Sequence, residues 1–139
     1  MNPYLRCAAA LMLALQGAAA SACGHCIEDK VASVYDHAVV MKALGRSHHV
    51  AFFGIDGPLE PGESMKRALI TLVDGTSGVD KGSVRVSVES GALSFGFDPK
   101  RVPLGRLLRA LEPALTARGL SLQPLQVMDR TLTGRRASK

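Results

Sequence analysis

Two cysteines three positions apart, Cys23 and Cys26 in the tetrad Cys23-Gly24-His25-Cys26, are the residues of this chain best suited to chemistry. Two thiols at that spacing can close on one soft metal ion or oxidise to a single small disulfide ring. Thiolate softness favours Cu(I), which accepts two sulfur ligands, whereas Zn(II) would need further donors to complete a tetrahedron. His25, between the thiols, can tune their acidity or add a ligand. His48 and His49 form the pair best suited to complete such a site. His37 stands 11 residues after Cys26. On a helix it would share the face of Cys26 but lie about 16 Å along the axis, so it reads as a solvated polar residue.

The segment before the tetrad has the pattern of an export signal. Arg6 opens it, Cys7 to Ala20 is apolar apart from Gln16 and Gly17, and Ala20-Ser21-Ala22 supplies small residues for signal peptidase. The apolar stretch is shorter than the roughly 20 residues of a membrane span. Residues 1–22 are therefore expected to be a cleaved signal peptide, leaving residues 23–139 as one domain's worth of chain in the periplasm. Cleavage after Ala22 or after Ala20 are both open. A lipoprotein reading, with Cys23 acylated, is the weaker alternative, because Ala20 stands where such signals carry Leu. It would turn Cys23 into a thioether.

Formal net charge over the full chain is +5, and there is no Trp. Arg130, Arg135, Arg136 and Lys139 place much of the basic excess in residues 129–139, read as a solvated, disordered tail rather than a nucleic-acid contact. No membrane span follows the signal. Asp56 and Glu60 share one loop but serve as turn-formers, Ser33 and Ser64 lack a nucleophile context, and the glycines are scattered at turns. No enzyme is expected.

The elements that must position the tetrad follow from periodicity. Ile27, Val31, Val34, Tyr35, Ala38, Val39 and Met41 define an apolar stripe on one helix from Cys26 to about Leu44, stopped at Gly45. Glu28 and Asp29 fall in its first turn, and the positive end of its dipole would favour a Cys26 thiolate. His49 to Ile55 reads as a buried strand, and Glu63 to Val73 as a helix with Met65, Leu69, Leu72 and Val73 inward. Val84, Val86 and Val88 alternate with polar residues, Ser90-Gly91 turns the chain, and Leu93, Phe95 and Phe97 return. A helix from Pro103 carries Leu104, Leu107, Leu108, Leu111 and Leu115, with an irregularity expected at Pro113. A short strand through Leu120, Leu122, Leu125 and Val127 ends the order. From His49 this is β-α-β-β-α-β, a ferredoxin-like sandwich in the α+β class. Residues 23–47 are an added amphipathic helix and residues 48–128 the domain proper. The stripe of the added helix must be buried on the sheet or on a partner chain.

The stretch from Val79 to Leu120, about a third of the chain, resembles the heavy-metal-associated domain family of copper chaperones and copper-transporting ATPases. Gly78-Val79 precedes a Val-alternating strand. A hairpin and a strand ending Phe97-Asp98-Pro99 follow, then a helix with Leu107-Leu108-Arg109-Ala110-Leu111 and a closing Gly119. The resemblance implies metal binding through a Cys-x-x-Cys in the loop after the first strand. Here that loop, residues 54–62, contains no cysteine. Such chaperones also commonly carry Cys-Gly-His-Cys before an amphipathic helix, as at residues 23–34 here. Either the site has moved to the added helix, or residues 23–55 are the remnant of another copy without its first strand.

A different chemistry uses the same four residues. Cys-Gly-His-Cys at a helix start is also the motif of protein disulfide isomerases, but no strand or βαβ unit precedes it here from which a thioredoxin fold could form. A structural disulfide would close only a tiny ring. The sequence therefore points to an exported soft-metal carrier. Cu(I) is the expected cargo, zinc the alternative, with hand-over to a recipient protein or a homodimer as partner. A periplasmic thiol/disulfide redox protein and a non-metal interaction module are the competing readings.

Overall fold

The computed structural model describes residues 22–132, the first five of them as helical backbone only. The elements are α1 (Ala22–Ser33), α2 (His37–Gly45), β1 (His49–Asp56), α3 (Glu63–Asp74), β2 (Arg85–Ser87), β3 (Ala92–Phe97), α4 (Leu104–Thr116) and β4 (Ser121–Met128). The strands form one antiparallel sheet in the order β2-β3-β1-β4. From β1 onward the fold is the expected ferredoxin-like βαββαβ unit.

Alternation decides which residues face which layer. Ala51, Phe53 and Ile55 of β1 and Leu93, Phe95 and Phe97 of β3 point to one side, where Leu69 and Val73 of α3 and Leu107, Leu111 and Leu115 of α4 close the main core. Phe53 and Phe95 stack with centroids 5.3 Å apart, and Phe95 meets Phe97 edge-on at 6.2 Å. Pro113 sits inside α4, which continues through it to Thr116.

The other side is covered by the added segment. Val50 and Phe52 of β1 and Ala92 of β3 pack against Val31, Val34, Val40, Ala43 and Leu44. Val31 and Val34 of the stripe thus find their partner on the chain's own sheet, giving three layers, while Ile27 and Tyr35 stay exposed. Ser94 donates from Oγ to the Val34 carbonyl at 2.9 Å, fixing the end of α1 over β3.

One expectation is corrected: the single helix from Cys26 to Leu44 is two helices. Ser33 turns its hydroxyl back onto the Lys30 carbonyl at 2.7 Å, a bond that competes with the helix ladder. Asp36 is extended and N-caps α2, accepting from the Val39 amide at 3.2 Å and from Arg85 Nε at 2.9 Å. First the Val39 amide and then Arg85 hold the Asp36 carboxyl below its usual range. The break resets the helical phase, so Val40, Ala43 and Leu44 turn inward while Ala38 and Met41 are exposed. Helix α1 also starts earlier than expected, which moves Glu28 and Asp29 out of its first turn.

The last strand carries an irregularity that its apolar pattern did not announce. Phe52 pairs with Gln126 and Phe53 with Pro124, leaving Leu125 as a bulge. The bulge lets Leu122 and Val127, an odd number of residues apart, both reach the main core while Leu125 turns to α1 and α2. Pro124 is tolerated because β4 is an edge. Residues 129–132 make defined contacts. Asp129 accepts from the amides of Thr131 and Leu132, and Arg130 donates from Nε to the Leu44 carbonyl at 2.9 Å. Residues 133–139, and the signal-like residues 1–21, lie outside the described residues.

Candidate metal centre

Helix α1 carries the tetrad in its opening turns, since its backbone is helical from Ala22. The amides of a helix's first turn have no intrahelical partner and make that end positive, which favours thiolate over thiol. Cys23, Cys26 and Lys30 stand at positions i, i+3 and i+7, one face of the helix. The side chains of Cys23, His25 and Cys26 lie outside the described residues.

Two contacts fix the direction of α1 across the sheet. Its last turn sits over Ser94 of β3. Four residues earlier, the Lys30 stem lies over Gly54 of β1, its ammonium 3.4 Å from where a Cβ would stand there. Gly54 pairs with Ala92, two steps along the sheet from the Phe52–Ser94 pair. Followed toward its N-terminus, α1 therefore runs to the end of the sheet where β1 stops at Asp56 and β4 starts at Ser121, which pair with each other.

That end is built by close backbone approach. Gly57 has φ +119°, and a Cβ there would run into the Gly119 carbonyl in the turn between α4 and β4. Pro58 lies alongside Gly119. The loop after β1 is thereby pinned to the start of β4. It offers Asp56 and Glu60, both exposed, and no sulfur.

The histidine pair lies elsewhere. His48 and His49 stand at the opening of β1, six residues and about 20 Å from Ile55 at strand rise. The structure therefore does not bring them to the end toward which α1 points. His48 is engaged by carboxylates at both ring nitrogens: Nδ1 is 2.9 Å from Asp80 Oδ2, and Nε2 is 3.8 Å from Asp98 Oδ2. His49 meets the Phe97 ring edge-on at 5.7 Å. His37 opens α2 with Nδ1 3.3 Å from the Tyr35 hydroxyl. Among the described residues, no group of three or more His, Cys, Asp and Glu side chains is arranged to hold a metal ion.

The sequence reading missed Asp80 as the partner of His48. The signal was present in β3, where Ala92, Ser94 and Gly96 alternate with large residues. A Cβ at Gly96 would stand 2.9 Å from Asp80 Oδ2, so only glycine leaves the carboxylate room to reach His48.

No protein-family model matches the chain, and no curated protein matches it. Among solved structures, it is similar to a copper binding domain from HMA7, a P-type ATPase, at 18% identity and TM-score 0.46, covering 57% of this chain and 96% of that one. It is similar to oxidized MerP from Ralstonia metallidurans CH34 at 16% identity and TM-score 0.44, covering 57% and 99%. It is also similar to the CopZ metallochaperone at 20% identity and TM-score 0.41, covering 53% and 98%.

Proposed function

We propose that the protein is an exported carrier of a soft metal ion, with Cu(I) as cargo held by the thiolates of Cys23 and Cys26 at the start of α1. The observation that supports this most is the course of α1. It lies across the face of the sheet opposite α3 and α4, and its cysteine-bearing end runs toward the loop after β1. In the family that the Val79–Leu120 stretch resembles, that loop carries the metal-binding cysteines. The helix N-terminus and Lys30, one turn on from Cys26, both supply positive charge that favours the thiolate form. His25 is the remaining donor within the tetrad. His48 and His49 are not part of this site, because His48 is held by Asp80 and Asp98.

Two thiolates one helical turn apart can take Cu(I) in two-coordinate geometry and release it to a recipient that offers a third sulfur. The role is binding and hand-over, with no bond of a substrate made or broken. Among the described residues no helix is long and apolar enough to cross a membrane. In this reading the chain acts in the periplasm after loss of residues 1–22.

The test is competition for Cu(I) against a chromophoric chelator, with the reduced protein beside a Cys23→Ser/Cys26→Ser variant. The expected result is one-to-one metal capture that the variant loses. Failure of the reduced wild type to compete would overturn the carrier reading. A His48→Ala variant is expected to retain capture.

A further inference from the structure

A second region stands apart from the tetrad. On the sheet face covered by α1 and α2, a groove of about 580 Å³ runs between α2 and the turn leading into β2. Lys42 and Arg46 line one wall, one turn apart on α2, and Lys81 and Arg85 line the other. Four cations thus face one cleft.

Their countercharges are unequal. Arg85 is matched by Asp36 at 2.9 Å. Lys81 donates to the Asp74 backbone carbonyl and lies 3.9 Å from the Asp74 carboxylate. Asp80, the one carboxylate lining the groove, is turned onto His48 at 2.9 Å. Lys42 and Arg46 have no ion-pair partner among the described residues. The groove therefore carries uncompensated positive charge above a lining that includes Ala38, Val39 and Ala43.

We infer that this groove is a docking site for an acidic segment of a partner protein, its carboxylates spread between Lys42 and Arg46 on one wall and Lys81 on the other. The layout favours a chain of carboxylates over a single small oxyanion. Small oxyanions are held by convergent backbone amides, and the amide of Gly82 in this wall is already given to Asp74 Oδ1 at 2.8 Å. The cations instead sit on long stems on opposite sides, with apolar surface between them for the peptide's methylenes. Charge complementarity of this kind sets partner choice and association rate and weakens with salt. The inference does not rest on the metal site, and its test uses no metal.

The experiment is fluorescence polarisation of a labelled oligoglutamate peptide with the purified protein at low salt. Two charge reversals are compared. Lys42→Glu/Arg46→Glu is expected to weaken binding about tenfold or more, while Arg106→Glu/Arg109→Glu, exposed on α4 at the opposite face of the sheet, changes net charge equally and leaves affinity within about twofold. Raising salt to about 0.2 M is expected to weaken the wild type toward the first variant. Circular dichroism of both variants checks that they fold. Equal losses in the two variants would overturn the inference in favour of general charge attraction, as would no binding by the wild type. Preferential capture of inorganic phosphate or of anionic lipid vesicles through Lys42 and Arg46, without the peptide, would overturn it too.

Discussion

The two faces of the sheet are built on opposite principles. Under α3 and α4 the strands present Phe53, Leu93, Phe95 and Phe97, and packing is aromatic and deep. Under α1 and α2 they present Gly54, Ala92, Ser94 and Gly96 beside Val50 and Phe52, and three of the four phenylalanines lie on the other side. Small residues let helices approach the backbone closely but supply little apolar area. The second layer is held instead by directional ties: Ser94 to Val34, Arg85 to Asp36, His48 to Asp80 and Arg130 to Leu44. The first face therefore carries the stability of the fold, and the second positions what rides on it. Elements held by few apolar contacts open at lower free energy than the core. The cysteine-bearing helix α1 and the basic groove both belong to the layer that opens more easily.

The largest effect should come from the aromatic face. Phe95→Ala removes a ring stacked on Phe53 and is expected to cost about 3–5 kcal/mol, read as a loss of denaturation midpoint for all probes together. On the other face, Val34→Ala should cost about 2 kcal/mol, and hydrogen exchange should show the amides of α1 and α2 opening while α3 and α4 stay protected. A cost for Val34→Ala equal to that of Phe95→Ala, with uniform loss of protection, would break the contrast and make the three layers one cooperative unit. Gly96→Val is a sharper probe, because its side chain would displace Asp80 from His48. A lower melting temperature with the main core's near-ultraviolet signal kept is the expected outcome.

The smallest effect is a pH dependence. The folded Asp36 carboxyl titrates below its usual 3.8, chiefly through the Val39 amide. Its ionised form is therefore favoured by folding. That contribution is fully present above pH 3.8 and fades as pH falls through the lower folded value. Asp36→Asn should flatten the acid limb of the melting-temperature curve over this window and leave the limb above it parallel to wild type. An unchanged acid limb would show that the cap does not hold α2 to the layer.

Much of this architecture was legible in the residues. Strict alternation in Val84–Val88 and Leu93–Phe97, with Ser90-Gly91 between, announced the hairpin, and the leucine periodicity of α4 survived its internal Pro113 because five inward leucines outweigh one missing amide. What escaped notice was partly local, in the Ser33 back-bond and the Asp36 cap, and partly long-range. Asp36 caps a helix locally, yet its partner Arg85 is 49 residues away, and a stripe that ran through it looked continuous. The Leu125 bulge was hidden because alternation fails only once. Among the candidate ligands, the Cys23–Cys26 pair was visible as a motif, but the direction of its helix toward the end of the sheet where β1 stops needed Lys30 over Gly54. The His48–His49 pair looked like a ligand set because two carboxylates, Asp80 and Asp98, reach His48 from elsewhere in sequence.

Covering both faces of the sheet also changes how the molecule can meet others of its kind. Only the edges remain as open hydrogen-bonding rows, and both are poor templates for strand addition. β2 is three residues long, and β4 carries Pro124 and a bulge. Short edges, edge prolines and bulges are the devices by which sheets avoid pairing end to end with other chains. A protein so closed can be concentrated without growing into extended sheets, and a partner that docks on the described residues meets helices and turns.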